Sequence, residues 1–262
     1  GWEKNATWGL LDCAPFGRGH QHEDKLSFLM HANGKLLLTE GGNYAYDTSK
    51  MRDYVLSTRS HNTIQADHMG QNRRRDYSWE EEDIRRKAAM DYGLSEAVDY
   101  AEAVYHEGYG EDVDKTISHK RAVYFLKTVD QTVPFFVVVD RMKADREHTY
   151  ELLWHMNEDW AQLQDRRTVT KNLTVFTAEK TPQWSLIIGQ EEPEWQGYVA
   201  TASIQGCYVP VPTLSQQVTG GNRRMVTVLY PASGWGCPVE AVEASGDPAD
   251  TRIELRMKDG ST

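Results

Sequence analysis

Polar and apolar positions in this chain alternate far more often than they recur every three or four residues, and such alternation marks half-buried strands. Lys25–Ala32 (KLSFLMHA) and Lys35–Glu40 (KLLLTE) flank Asn33-Gly34. That dipeptide suits a two-residue type I′ turn, so a hairpin is predicted here. Thr116–Val129, a turn at Gln131–Pro134 and Phe135–Arg141 read as a second antiparallel pair. Further strands are expected at His61–Asp67, Ser95–His106, His148–Met156, Thr168–Thr177, Trp184–Ile188, Met225–Tyr230 and Ile253–Met257. Helical periodicity is weak. Its best window, Ser78–Met90, reads as one short charged helix or a solvated loop, and Thr213–Arg224 (TLSQQVTGGNRR) as an exposed polar loop. So many strands without intervening helices imply an all-β fold: a large sandwich of antiparallel sheets with few or no helices. No repeat, linker or low-complexity tract divides the chain, so residues 1–262 are expected to form a single domain.

Composition narrows the function classes. A hydrophobic fraction of 39% and an aromatic fraction of 10% are globular values. The net charge of −10 argues against general nucleic-acid binding and leaves only a local basic patch to hold a polyanion. No apolar run approaches the roughly 20 residues of a membrane span, so no membrane partner is expected. The opening GWEKNATWGL has neither the basic nor the apolar region of a signal peptide, and its initial Gly suggests a processed or excised fragment. Cys13, Cys207 and Cys237 are odd in number and far apart, which suits three ordinary thiols.

Among nine histidines, His20 and His22 stand out. On an extended strand, positions i and i+2 share a face. Glu40 closes the hairpin that begins just after them, and His61 opens the next strong strand. Two imidazoles and a carboxylate from neighbouring strands form a ligand set suited to zinc, with a fourth position for water or another ligand. His22, Glu40 and His61 can supply it, leaving His20 on the same face for another task. The alternative is a polar patch at a sheet edge, with Glu40 merely hydrogen-bonded. A cupin-like metal oxidase also carries His-x-His, but its Glu follows three or four residues later. Here Glu23 follows His22 directly and Glu40 comes 18 residues on, so the spacing disagrees.

The segments GHQHEDKLSF, NGKLLLTEGGNYAYD, MRDYVLSTRSHNTIQAD and Gly70-Gln71 occur in order and at close spacing. Together they resemble the C-terminal domain of the heparinase II/III-like polysaccharide lyases, which include heparinase II, heparinase III and oligoalginate lyases. The resemblance is dense over residues 17–75 and diffuse beyond. It implies a supersandwich-like β domain that follows an N-terminal α/α toroid, the polysaccharide cleft lying between the two. It further implies that His22, Glu40 and His61 bind a structural zinc, and that His20 reaches into the cleft as an acid/base or substrate-contacting group. The family more often has Asp where this chain has Glu40. Tyr44 matches a tyrosine placed near substrate in some members, with Tyr46 and Tyr54 as rivals.

Such lyases cleave by β-elimination at a uronic acid. The proton removed lies α to a carboxylate, so that carboxylate's charge must be neutralised as the carbanion develops. A base takes the proton and an acid protonates the leaving oxygen at C4. In the family the catalytic tyrosine and the charge-neutralising Asn or His belong to the toroid, which this chain lacks. The expectation is therefore half of an active site, with little or no activity in isolation. Its partners would be the toroid of the same protein and an acidic, uronic-acid-containing polysaccharide such as alginate or a glycosaminoglycan. Its setting would be periplasmic or secreted. A zinc-containing carbohydrate-binding scaffold without a role in turnover is the competing reading.

The basic runs Asn72–Tyr77 and Ile84–Met90 read first as solvated loop charge. With the resemblance, Arg73, Arg74 and Arg75 become candidates for substrate carboxylates or sulfates, because guanidinium matches planar oxyanions. Arg52 and Arg59 flank Tyr54 and His61 and are candidates for the same task. Trp79, Trp154, Trp160 and Trp184 could stack on sugars, but tryptophans in a sandwich are mostly core or rim.

Overall fold

Cross-strand pairing is antiparallel throughout the computed structural model, which describes residues 3–72, 80–110, 112–127, 133–180, 183–232 and 236–261. Among these, eight strands form the largest sheet, in the order 162–164, 167–169, 174–177, 223–230, 135–143, 118–126, 98–105 and 89–93. Its central strand Phe135–Lys143 shows why both faces are covered. Phe136, Val138 and Met142 enter one buried cluster, while Phe135, Val137 and Val139 enter another.

The first cluster is closed by two smaller sheets. One has three strands (Trp8–Leu11, Phe28–Ala32 and Lys35–Leu38). The other runs Gln183–Ile188, Pro212–Gly220, His148–His155 and Ile64–Ala66. A bridge between Leu38 and Met156 joins them into one front layer. The hairpin Val239–Ser245/Arg252–Met257 covers the second cluster. The fold is the all-β sandwich expected.

The Asn33-Gly34 hairpin is present, both residues at positive φ (55° and 79°) as a type I′ turn demands, though its first strand begins at Phe28 and not at Lys25. The expected strand at 168–177 divides into Arg167–Val169 and Thr174–Thr177, separated by a turn that the Thr170 hydroxyl closes on Leu173.

Two expectations are corrected. Thr213–Arg224 is no exposed loop. Pro212–Gly220 is an internal strand, and the chain turns at Gly220–Gly221 into Arg223–Tyr230. Its Leu214 and Val218 join the core, and Gln216 donates to the Thr177 hydroxyl at 2.8 Å. Thr213 and Ser215 are buried on the opposite face, the latter bonded to Glu151. Polar residues with internal partners mimic a loop on any hydropathy reading. The Ser78–Met90 window also resolves differently: residues 73–79 lie outside the described residues, Glu81–Arg85 is helical, and Ala89–Gly93 is an exposed edge strand.

The sequence reading missed a helix that borders the site, Lys50–Leu56. Ser49 caps it by accepting from the Arg52 amide at 3.2 Å, and Met51, Tyr54 and Val55 bury one face at helical spacing. A 3-10 turn, Thr58–Ser60, then delivers His61 to the interior.

Candidate functional site

The loop from Gly17 to Asp24 has no regular structure, so the two histidines are not a strand pair. His20 takes a left-handed conformation (φ 58°), and the rings part. His22 turns inward, its ring centroid 5.3 Å from that of His61 at a 55° tilt. His20 stays exposed and meets Tyr46 edge-on, ring centroids 5.8 Å apart, with its Nδ1 hydrogen-bonded to the Tyr46 hydroxyl. The separation of the two histidines comes from a turn and not from strand alternation.

The inner group gathers carboxylates around imidazoles. Glu40 Oε2 lies 3.1 Å from His61 Nδ1, and its Oε1 accepts from the Ser27 hydroxyl at 2.7 Å. Burial alone would raise the Glu40 carboxyl, but His61 and the Ser27 hydroxyl hold it down to about 2. Burial pulls His61 down, yet Glu40 beside it raises the imidazole above its ordinary value. Among the described residues, ligand atoms of His22, Asp24 and His61 all lie within 4.8 Å of one another. Withdrawal from solvent pushes Asp24 up to about 7 against the pull of His61, with Asp12 and Glu40 adding to the rise. His61 Nε2 is buried and finds no hydrogen-bond partner among the described residues.

Asn62 organises the backbone around this group. Its amide donates to the carbonyls of Phe28 (2.9 Å) and Thr39 (2.7 Å), and its side-chain oxygen accepts from the His155 backbone N–H at 2.7 Å. Its own N–H reaches the Ser27 hydroxyl, the group that also holds Glu40. Asn62 thus ties strands Phe28–Ala32 and His148–His155 to the residue that follows Lys35–Leu38, immediately beside His61.

Gly41 makes a related contribution. Its N–H donates to the Ser60 carbonyl at 2.8 Å, and an added Cβ would stand 2.6 Å from the Ser60 Cβ. Gly41→Ala should cost about 1–3 kcal/mol in urea unfolding, because Ser60 belongs to the turn that places His61 and cannot retreat cheaply. An unchanged midpoint would show that the turn yields.

The outer group is the exposed face. The Arg52 guanidinium lies 4.3 Å from the Tyr46 ring centroid, so His20, Tyr46 and Arg52 stand together. Tyr44 lies elsewhere: it is 2% exposed, and its hydroxyl accepts from the Gly206 N–H at 2.7 Å within an aromatic cluster with Tyr208. Tyr54 is buried near His155. Arg59 pairs with Glu194 at 2.7 Å and keeps only 15% of its side chain exposed. Arg73, Arg74 and Arg75 lie outside the described residues, as does Trp79. Trp154 is core, Trp184 packs against it, and Trp160 is 48% exposed.

The family described as heparinase II/III-like, C-terminal, matches residues 1–207. The chain belongs to this family. A heparin-sulfate lyase of Pedobacter heparinus is 24% identical over 250 residues, covering 91% of this chain and 34% of that protein. The crystal structure of heparan sulfate lyase HepC from the same organism superposes over 97% of this chain and 40% of its own, with a TM-score of 0.72 and 17% identity. A further solved heparinase III covers 98% of this chain and 39% of its own length at a TM-score of 0.70 and 18% identity. The chain therefore spans about a third of the curated relative's length. The family match contains both the inner and the outer group and stops short of the hairpin that covers the back of the large sheet.

Sequence reasoning missed Asp24 and Ser27 as members of the inner group, although Asp24 stands two residues after His22. It also missed Asn62, whose importance lies in three long-range bonds that no spacing records.

Proposed function

We propose that this chain is the zinc-bearing half-site of a lyase that cleaves uronic-acid-containing polysaccharide by β-elimination. One observation carries the reading: two imidazoles and two carboxylates converge at the loop that also presents His20, exposed and two residues from His22, to Tyr46 and, through its ring, to Arg52. His22, Asp24 and His61 are the residues that would hold zinc, a nitrogen- and oxygen-donor set suited to that ion. The buried, partnerless Nε2 of His61 supports the fit. Glu40, the carboxylate that the sequence reading made a ligand, would instead accept from His61 Nδ1 and orient the ring. What zinc supplies when bound is a tie between the His22–Asp24 loop and the His61 segment.

His20 then has a defined task. It stands at the surface, beside a phenol and a guanidinium, where it can exchange a proton with a sugar in the cleft. Arg52 can pair with a uronate carboxylate as charge develops there. The remaining groups belong to an N-terminal toroid, so the chain alone should turn over acidic polysaccharide slowly or not at all. A relative named for heparin sulfate supports a glycosaminoglycan as the substrate class, and a polymeric substrate suits a periplasmic or secreted setting.

Titrating the metal-stripped chain with zinc tests the reading. One equivalent should bind. Asp24→Ala should weaken binding more than Glu40→Gln, whose expected loss is about 10–100-fold. If Glu40→Gln instead costs more than Asp24→Ala, the ligand roles are reversed; no uptake of zinc by the wild-type chain would remove the metal from the proposal.

A further inference from the structure

Arg121 lies in the middle of the large sheet, on strand Ser118–Leu126, and is completely buried. Its cross-strand neighbour is Asp140, also fully buried, and the two meet through a fork: Nε to Oδ1 at 2.7 Å and Nη2 to Oδ2 at 3.2 Å. Asp140 Oδ1 also takes a hydrogen bond from His119 Nε2 at 2.6 Å. The remaining nitrogen, Nη1, points away from the sheet and donates to two backbone carbonyls, Leu26 (2.6 Å) and Asn62.

Those two carbonyls belong to different segments of the site. Leu26 follows Asp24 by two residues and precedes Ser27, whose hydroxyl holds Glu40. Asn62 directly follows His61. A single guanidinium nitrogen therefore bridges the segment carrying one set of ligand groups to the segment carrying the other. Leu26 is moreover left-handed (φ 63°), a conformation that a leucine holds only when its surroundings impose it. The bond from Arg121 to its carbonyl is part of that imposition.

We propose that Arg121, locked by Asp140, is a positioning residue: it sets the separation of the Asp24–Ser27 and His61–Asn62 segments and thereby the geometry in which His22, Asp24 and His61 converge. The inference rests on the metal-site reading above and assigns it a support outside the dense motif region. Lysine cannot replace it, because one ammonium cannot hold the Asp140 fork and both carbonyls in the same geometry.

Two measurements on the 262-residue chain test this. Zinc affinity is compared among wild type, Arg121→Lys, the paired variant Arg121→Met/Asp140→Leu and Arg224→Met. The paired variant removes both buried charges at similar volume, so the sheet is expected to fold. Arg224 also donates to backbone carbonyls (Ser245, Gly246 and Asp247) but at the far hairpin, and serves as the control. Affinity should fall about 10–100-fold in Arg121→Lys and in the paired variant and stay unchanged in Arg224→Met. The second measurement is amide hydrogen exchange with chelator present. Exchange should quicken at residues 24–28 and 60–64 in the paired variant while the strands 118–126 and 135–143 keep their protection. Wild-type affinity together with wild-type exchange would overturn the proposal, and so would quickened exchange spread over the whole large sheet. If the wild-type chain takes up no zinc, the metal reading fails on that result alone, and the exchange pattern still decides the role of Arg121.

Discussion

In the full-length protein, His20→Ala is expected to lower kcat by about 10²–10⁴-fold while bound zinc stays at the wild-type level. The magnitude is that of a lost general acid or base. The second half of the expectation follows from the turn at Gly17–Asp24: His20 is exposed and bonded to Tyr46, whereas His22 faces His61. His22→Ala should show the opposite pattern, with zinc lost and activity falling as a consequence. Tyr46→Phe removes the hydroxyl that His20 Nδ1 meets and keeps the ring under Arg52, so a smaller loss is expected. The measurement is the initial rate of unsaturated product formation alongside metal content for each variant. An unchanged rate in His20→Ala would reduce the chain to a scaffold, and brisk turnover by the 262-residue chain without its partner domain would end the half-site idea.

The core of the fold was legible because its strands are dense in β-branched, aromatic and other apolar residues. Phe135–Lys143 is buried on both faces and opens as an apolar run, and His148–His155 carries Tyr150, Leu152, Leu153 and Trp154 into the core. Pro212–Gly220 was not legible, since the partners that satisfy Ser215 and Gln216 come from other strands. The site divides in the same way. His22, Glu40 and His61 could be singled out from spacing and resemblance, and the structure brings Glu40 to His61 and His22 near it. Asp24 was overshadowed by the histidine motif that precedes it, and the exposed tyrosine beside His20 is Tyr46 where the motif pointed to Tyr44. Two residues apart on an irregular loop, those tyrosines differ in burial for reasons that lie in the packing of Tyr208, far along the chain. Arg121 was invisible for a related reason. An arginine inside an apolar strand is read as an interruption until its partner on the next strand and the two carbonyls above it are known.

That buried arginine gives the largest stability effect expected of any single substitution here. Asp140→Ala should destabilise the chain by about 3–5 kcal/mol, because it leaves the Arg121 charge enclosed without a counter-charge. The paired variant Arg121→Met/Asp140→Leu should lose less, about 1–3 kcal/mol, since the charge leaves with its partner. What remains is the cost of His119 and two backbone carbonyls deprived of a hydrogen bond. Urea unfolding of the three proteins gives both numbers, and m-values show whether the unfolded states are comparable. The pair also predicts an acid limb. Burial would raise the Asp140 carboxyl, but Arg121 and His119 hold it down to about 2, below its ordinary 3.8. A depressed carboxyl contributes stability that is fully present above the unfolded value and is lost as pH falls through the folded one. Between about pH 4 and pH 2 the wild-type chain should therefore lose stability more steeply than the paired variant, which retains the similarly depressed Glu40 but not Asp140. Parallel acid limbs would mean that Asp140 is protonated together with its unfolded counterpart, and that the fork holding Arg121 over the site is weaker than its geometry implies.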